Sequence, residues 1–173
     1  MDDRKLVEKF LRYLSIEKES SENTIKNYKI DIATFDDYIH DKYNINITEV
    51  EEHHVEEYKR YMKEKRHWVN STRARRVTSL REFYKYIKRK NYIKENPMEY
   101  ITTPEVKRRE AKVLSVEEAK KLLLAGDNER DKLILTMFLN TGLRVEELTN
   151  VSLTDIENNQ LRVIGKGDKE RII

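Results

Sequence analysis

The sequence holds no cysteine, two prolines, four glycines and one tryptophan among 173 residues. Without cysteine there is neither a disulfide framework nor a thiolate zinc site. Little glycine and proline, with 39% charged residues, disfavours turn-rich β structure and favours helices. Histidine occurs only at positions 40, 53, 54 and 67, all in the first half. No apolar run is long enough to span a bilayer, and Met1-Asp2-Asp3 does not open a signal peptide. The expectation is a soluble, cytoplasmic protein with no membrane partner, holding one domain or a small domain plus part of a second.

The net charge of +3 hides a strong asymmetry. Residues 1–58 carry a net charge of −7, residues 59–112 of +12 and residues 113–173 of −2. A block as basic as the middle one suits a polyanion, because neutralised phosphates release their counterions. A solvated Lys/Arg-rich surface is the plainer alternative.

Apolar spacing predicts four amphipathic helices in the first hundred residues. The first covers 3–18 through Leu6, Val7, Phe10, Leu11 and Leu14. The second runs from Thr24 to about His40 through Ile25, Tyr28, Ile32, Phe35 and Ile39. Thr48 and Glu51 have capping-box spacing and are expected to open the third, through about Lys65. The fourth spans about Ser71 to Lys90, with Val77, Leu80, Tyr84 and Ile87 on one face and Arg75, Thr78, Glu82, Lys85 and Arg89 on the other. Asn96-Pro97 marks its exit. Residues 1–101 therefore read as a helical domain, and 102–112, with Pro104 and Lys107-Arg108-Arg109, as a linker.

In residues 113–173, Ser115 and Glu118 form a second capping-box pattern, opening a helix to about Leu124. Another follows from Glu129 to Asn140, expected to be buried through Leu133, Ile134, Met137 and Phe138, with Gly142 as its stop. The period then changes. Residues 155–157, Asn158-Asn159 and 161–164 read as strand, turn and strand, and 171–173 as a third strand.

Arg144 follows the Gly142 stop, and Glu147 three residues on shares its helical face and can orient the guanidinium. Arginine suits a phosphate because its donors form a rigid fork. Lys166, between Gly165 and Gly167, has an open approach from which an ammonium could neutralise a phosphate or protonate a leaving oxygen. A helix-terminal salt bridge and an exposed hairpin lysine would carry the same spacing.

The ordered set Thr141-Gly142-Leu143-Arg144-x-x-Glu147-Leu148 and Gly165-Lys166-Gly167-x-Lys169-Glu170-Arg171 resembles the tyrosine recombinase (phage integrase) family, nearest its Xer-like members. The resemblance extends upstream to Glu22-Asn23-Thr24-Ile25-x-x-Tyr28-x-x-Asp31-Ile32, to Ser79-Leu80-Arg81-x-Phe83-Tyr84-x-Tyr86 with Asn96-Pro97, and to Leu114-Ser115 with Glu117-Glu118. It implies a mainly α fold: a four-helix SAM-like core-binding bundle, then a partial α+β catalytic domain of helices and a small antiparallel sheet. It implies Arg144 as the first catalytic arginine on the scissile phosphate, Lys166 as general acid and Glu147 in support. No metal or nucleotide cofactor is implied. The family cleaves and rejoins strands through a 3′-phosphotyrosine and assembles four protomers on two duplex sites. The second and fourth helices are implied to face the major groove, which makes Asn23, Thr24, Lys26, Asn27, Arg73, Arg75, Arg76, Ser79, Arg81 and Lys85 candidate DNA contacts. Reversing Arg75, Arg76 and Lys85 to Glu is expected to weaken binding without unfolding the helices.

The family pattern also requires a His/Lys-x-x-Arg pair, a further His or Trp and the nucleophilic Tyr downstream of the hairpin, yet residues 101–173 contain neither Tyr nor His. The expectation is a truncated recombinase chain, monomeric in solution, that binds duplex DNA and does not cleave it alone. A non-catalytic DNA-binding remnant or regulator, and a helical module for an acidic protein, are the alternatives.

Overall fold

The apolar stripes of the first hundred residues turn toward one another. The structure, a computed structural model, describes residues 3–107, 112–165 and 169–173. Helix α1 (Asp3–Ile16) buries Leu6, Phe10 and Leu14, and α2 (Glu22–Tyr43) buries Ile32, Phe35 and Ile39. Helix α3 (Glu52–Glu64) adds Val55, Tyr58 and Met62; α4 (Asn70–Arg89) adds Val77, Leu80, Phe83, Tyr84, Tyr86 and Ile87. These side chains make one core within the unit Met1–Arg108. Phe10 meets Phe83 edge-on at 5.4 Å and Phe35 meets Tyr58 at 4.9 Å, arrangements in which ring edge and ring face attract. The wholly buried Tyr84 hydroxyl donates to the Ile47 carbonyl at 2.9 Å, so burying it strands no donor.

Helix α2 starts two residues before the expected Thr24, because Ser21 is its N-cap and accepts the Thr24 N–H. The expected Thr48–Glu51 capping box does not form. Glu49 instead turns back to Asn46, taking its backbone N–H and its side-chain amide at 2.8 Å each, and Ile47–Glu49 becomes a short 3-10 turn. Asn46 offers two donors to the acid three residues on, and that local pair wins. Helix α3 then starts after Glu51, whose N–H is accepted by His54 Nδ1 at 3.0 Å.

The segment after α4 is fastened to its own unit. Arg81 donates to the Ile101 carbonyl at 2.6 Å and to Thr103 at 2.9 Å, and Asn70 donates to the Glu105 carbonyl at 2.8 Å.

The second unit, Arg109–Ile173, holds α5 (Val116–Leu124), α6 (Glu129–Thr141), the single-turn α7 (Val145–Thr149) and three antiparallel strands in the order β1 (Ile156–Glu157), β2 (Gln160–Gly165), β3 (Lys169–Ile172). The Ser115–Glu118 capping box is present, with Ser115 N–H to the carboxylate at 2.8 Å and Glu118 N–H to the hydroxyl at 3.2 Å. Gly142 ends α6 at φ +62°, left-handed backbone that favours glycine although a Cβ there would meet nothing. Asn158 and Asn159, at φ 52° and 60°, supply the two positive dihedrals of a tight type I′ turn between β1 and β2.

The core of this unit is slight: Leu143, Leu161 and Val163, flanked by Met137, Phe138, Leu148 and Val151. Helix α6 is not buried as its spacing suggests. Leu133 is 59% exposed, and Ile134, Met137 and Phe138 are only half-buried. Among the described residues, α5 and a three-residue core cover one side of α6 and leave the rest open. Also among the described residues, no helix is long and apolar enough to cross a membrane.

Two predictions follow from this division and its caps. Amide exchange is expected to be protected most strongly in α1–α4 and to be faster throughout α5–β3, as apolar burial dictates; equal protection in hydrogen-exchange mass spectrometry would refute it. The second concerns His54, which caps α3 only with an unprotonated Nδ1. Its pKa is lowered by burial and then by His53, against raising contributions from Glu51 and Glu57. A depressed folded pKa means stability present above the unfolded value of about 6.5 and lost as pH falls through the folded value. Asp36, pushed up to about 6 chiefly by burial, acts in the opposite sense. The measurement is therefore the Tm difference between wild type and His54→Gln from about pH 8 to pH 5. Gln keeps a cap acceptor, so the wild type is expected to lose ground to the variant on acidification; a constant difference rejects the assignment.

Candidate phosphate site and DNA interface

Arg144 stands at the N-cap of α7, placed there by the left-handed turn at Gly142. Glu147, one turn on, folds its carboxylate back to accept the Arg144 N–H at 2.8 Å and Arg144 Nη1 at 2.7 Å. A third bond comes from Arg171 Nη2 at 2.8 Å. Arg171 pairs across the β2–β3 ladder with Val163, whose side chain is buried, so register sends the arginine toward the same face. Gly165 completes the enclosure: a Cβ there would lie 3.2 Å from Glu147 Oε1.

The Glu147 side chain is 5% exposed, whereas those of Arg144 and Arg171 are 69% and 41% exposed. The Arg144 backbone N–H, then its guanidinium, then the charge of Arg171 hold the Glu147 carboxyl below its usual range. The result is two guanidinium groups, fixed on their inner edges by one carboxylate and open on their outer edges. That arrangement suits a tetrahedral anion in charge and in the fork of its donors. Arg144 and Glu147 stand together as their spacing suggested; Lys166 lies outside the described residues. Arg171 was missed as a site residue, although it lies within the motif Gly165 to Arg171.

In the helical unit, Asn23, Lys26 and Asn27 of α2 and Arg75 and Lys85 of α4 are exposed. Thr24 is half-buried, with its hydroxyl 2.9 Å from that of Ser21. Arg73 is half-buried and donates to Asn70 at 2.6 Å. Three candidates are engaged inside the fold. Arg76 is 8% exposed, stacked 4.0 Å over Trp68 and 3.5 Å from Asp31. Ser79 is 1% exposed and donates to Asp31 at 2.7 Å. Arg81 spends its fork on Ile101 and Thr103. Arg76 and Ser79 are thus corrected from surface to interior. Both lie four residues before buried positions, Leu80 and Phe83, and that spacing was the available clue. Reversing Arg76, or Arg75 with its 2.5 Å bond to Asp31, would set two carboxylates together in or beside the core. Only Lys85 of that trio can be reversed as a surface test.

A basic α4 surface in one unit and a paired-guanidinium site in the other both suit a phosphate polyanion, and the chain belongs to the phage integrase (tyrosine recombinase) family. The model described as phage integrase, N-terminal SAM-like domain, matches residues 7–91, and that of the phage integrase family matches residues 112–173. Among its relatives is tyrosine recombinase XerC of Caldanaerobacter subterraneus subsp. tengcongensis, 39% identical over 190 residues, covering 97% of this chain and 54% of that protein. Tyrosine recombinase XerD of Pasteurella multocida is 30% identical over 180 residues, covering 100% of this chain and 60% of its own. The chain thus spans little more than half the length of these relatives. A crystal structure of a lambda integrase dimer bound to a COC′ core site shares the fold, with a TM-score of 0.78 at 16% identity over 98% of this chain and 47% of that one.

Glu147→Gln keeps the outline and removes the charge. Its Tm is expected to lie below wild type at neutral pH, because a depressed folded pKa contributes stability above the unfolded value of 4.5. The two curves are expected to converge as pH falls through the lower folded value. Parallel curves down to acid would show that the carboxylate is not held by the two arginines.

Proposed function

We propose that this chain grips duplex DNA and supplies the first phosphate-clamping arginine of a site-specific tyrosine recombinase. The observation that carries the reading is the exposed Arg144 guanidinium, fixed on its inner edge by a buried Glu147 that also holds Arg171. In a transphosphorylation, such a guanidinium neutralises the non-bridging oxygens as charge builds on them, and prior fixing spares reorganisation at that moment. Lys166 is proposed to act from the β2–β3 connection as proton donor to the leaving 5′ oxygen. The nucleophile is a tyrosine in the family, and residues 101–173 contain none. Tyr58 and Tyr84 are fully buried in the helical core, where burial raises their pKa, that of Tyr58 to about 12. The chain is therefore proposed to bind without cutting.

The helical unit would supply most of the affinity through phosphate contacts from Lys26, Asn27, Arg75 and Lys85. Asn23 and Thr24, at the start of α2, would flank them. Binding is proposed to occur as a monomer on free duplex in the cytoplasm, with assembly into a tetramer when two sites are brought together.

The test has two arms, both on the 173-residue chain. Fluorescence anisotropy with a labelled duplex is expected to give a low-salt affinity tighter than ~100 μM. Lys26→Glu with Lys85→Glu should weaken it about tenfold or more and reduce the log–log salt slope by about two, without a change in the helical melt. On a nicked suicide duplex no covalent protein–DNA adduct is expected in a denaturing gel. Weaker binding than that bound, or any adduct, overturns the corresponding half of the proposal.

A further inference from the structure

One buried polar group in the helical unit belongs to a stretch that carries the family resemblance but has no role in the site described above. Asp31 of α2 is 0% exposed, yet two arginines and a serine of α4 converge on it. Its Oδ2 accepts from Arg75 Nη1 at 2.5 Å and from Ser79 at 2.7 Å, and its Oδ1 faces Arg76 Nη1 at 3.5 Å. Arg76 is itself 8% exposed and stacked over Trp68, so its charge stands beside the carboxylate at ion-pair distance without a hydrogen bond to it. The third member differs. The Arg75 side chain is 42% exposed, and among the described residues Asp31 is its one polar partner.

We infer that Asp31 is a positioning residue for duplex binding: buried in the α2–α4 seam, it pins one edge of the Arg75 guanidinium so that the opposite edge is presented to a DNA phosphate. The inference rests on the duplex-binding reading above. An arginine free in water samples many rotamers and loses them on docking; one already tied at Nη1 loses fewer. The remaining donors keep the planar geometry that a phosphate accepts in forked fashion. Electrostatics also argues for a positioning role. A carboxylate beside a phosphate-binding face repels the ligand, so a surface selected only for positive charge would be better without it.

That repulsion makes the test decisive. Asp31→Asn removes a negative charge and keeps the shape and the Ser79 bond. If charge alone mattered, the variant would bind a labelled random-sequence duplex more tightly than wild type. If Asp31 positions Arg75, it will bind about tenfold more weakly, as will Arg75→Ala, and the double variant will be no weaker than either single one. The salt slope is expected to drop by about one in all three. Binding of Asp31→Asn at or above the wild-type affinity, or additive losses in the double variant, overturns the inference and leaves duplex binding intact. Failure of the wild type itself to bind duplex removes the parent reading and this inference with it. Should Asp31→Asn lose its cooperative melt, Ser79→Ala keeps both charges and loosens only the carboxylate. A smaller loss of affinity is then expected that vanishes on the Arg75→Ala background; persistence of the loss there overturns the inference.

Discussion

A carboxylate taken out of water must be met by donors, because the desolvation penalty otherwise exceeds what the fold can supply. The chain meets this constraint twice, on Glu147 with hydrogen bonds to both oxygens and on Asp31 with two hydrogen bonds to Oδ2 and the Arg76 charge 3.5 Å from Oδ1. Asp31 is surrounded by Arg75, Arg76 and Ser79, and Glu147 by Arg144 and Arg171. In each case the acid is buried and at least one guanidinium reaches outward. Inner edges are consumed and outer edges remain. The fold thereby converts a flexible cation into a directed one, and it does so once on a helix pair and once on a turn-and-hairpin frame.

The two frames differ in what stands behind them. Around Asp31 lies an aromatic and aliphatic core drawn from four helices, with ring pairs such as Phe10–Phe83 and Phe35–Tyr58 in attractive orientations. Around Glu147 lie three buried apolar residues and a short ladder. Many large apolar side chains of the second unit remain in contact with water, among them Leu124 at 84% and Leu153 at 88%. Placement of Arg144 therefore depends on local devices more than on a core. These are the Gly142 turn, the carboxylate folded back on its own helix start and the β2–β3 register.

Much of this was legible in the sequence, and the misses arise where a residue's neighbours in space were not those its spacing suggested. Helical stripes such as Leu6, Phe10, Leu14 and Ile32, Phe35, Ile39 are buried where their spacing put them. The Ser115–Glu118 box and the Asn158-Asn159 turn depend on neighbours a few residues away, and both formed. Local signals failed where two of them competed, as when Asn46 took Glu49 and displaced the box expected at Thr48. They also failed where a partner from elsewhere in the chain decided the outcome. Arg76 and Ser79 were candidate DNA contacts because the resemblance implies that their helix faces the groove, yet both turn inward to Asp31, more than forty residues away in sequence. Arg171 was legible as part of a motif but not as a ligand of Glu147, since only strand register sets that encounter. Leu133 was the opposite error: an apolar residue on a helix predicts a buried face only when something lies against it.

Gly165 shows how closely the second frame is drawn. Its backbone dihedrals are not of the kind that require glycine, and what crowds a side chain there is the Glu147 carboxylate, 3.2 Å from where a Cβ would sit. A residue with a side chain would push the carboxylate from the end of β2, and the carboxylate is bound to Arg144 through both of its oxygens. It is also bound to Arg171 on β3. The end of β2, the middle of β3 and the start of α7 therefore share one acid, and a displacement at any of them is felt at the other two. Since Gly165 and Lys169 flank the connection that carries Lys166, that shared acid also fixes where the connection begins and ends relative to the Arg144 guanidinium. A Cβ at this position would therefore press on the acid that supports the arginine, which couples the end of β2 to Arg144 through one steric and electrostatic contact.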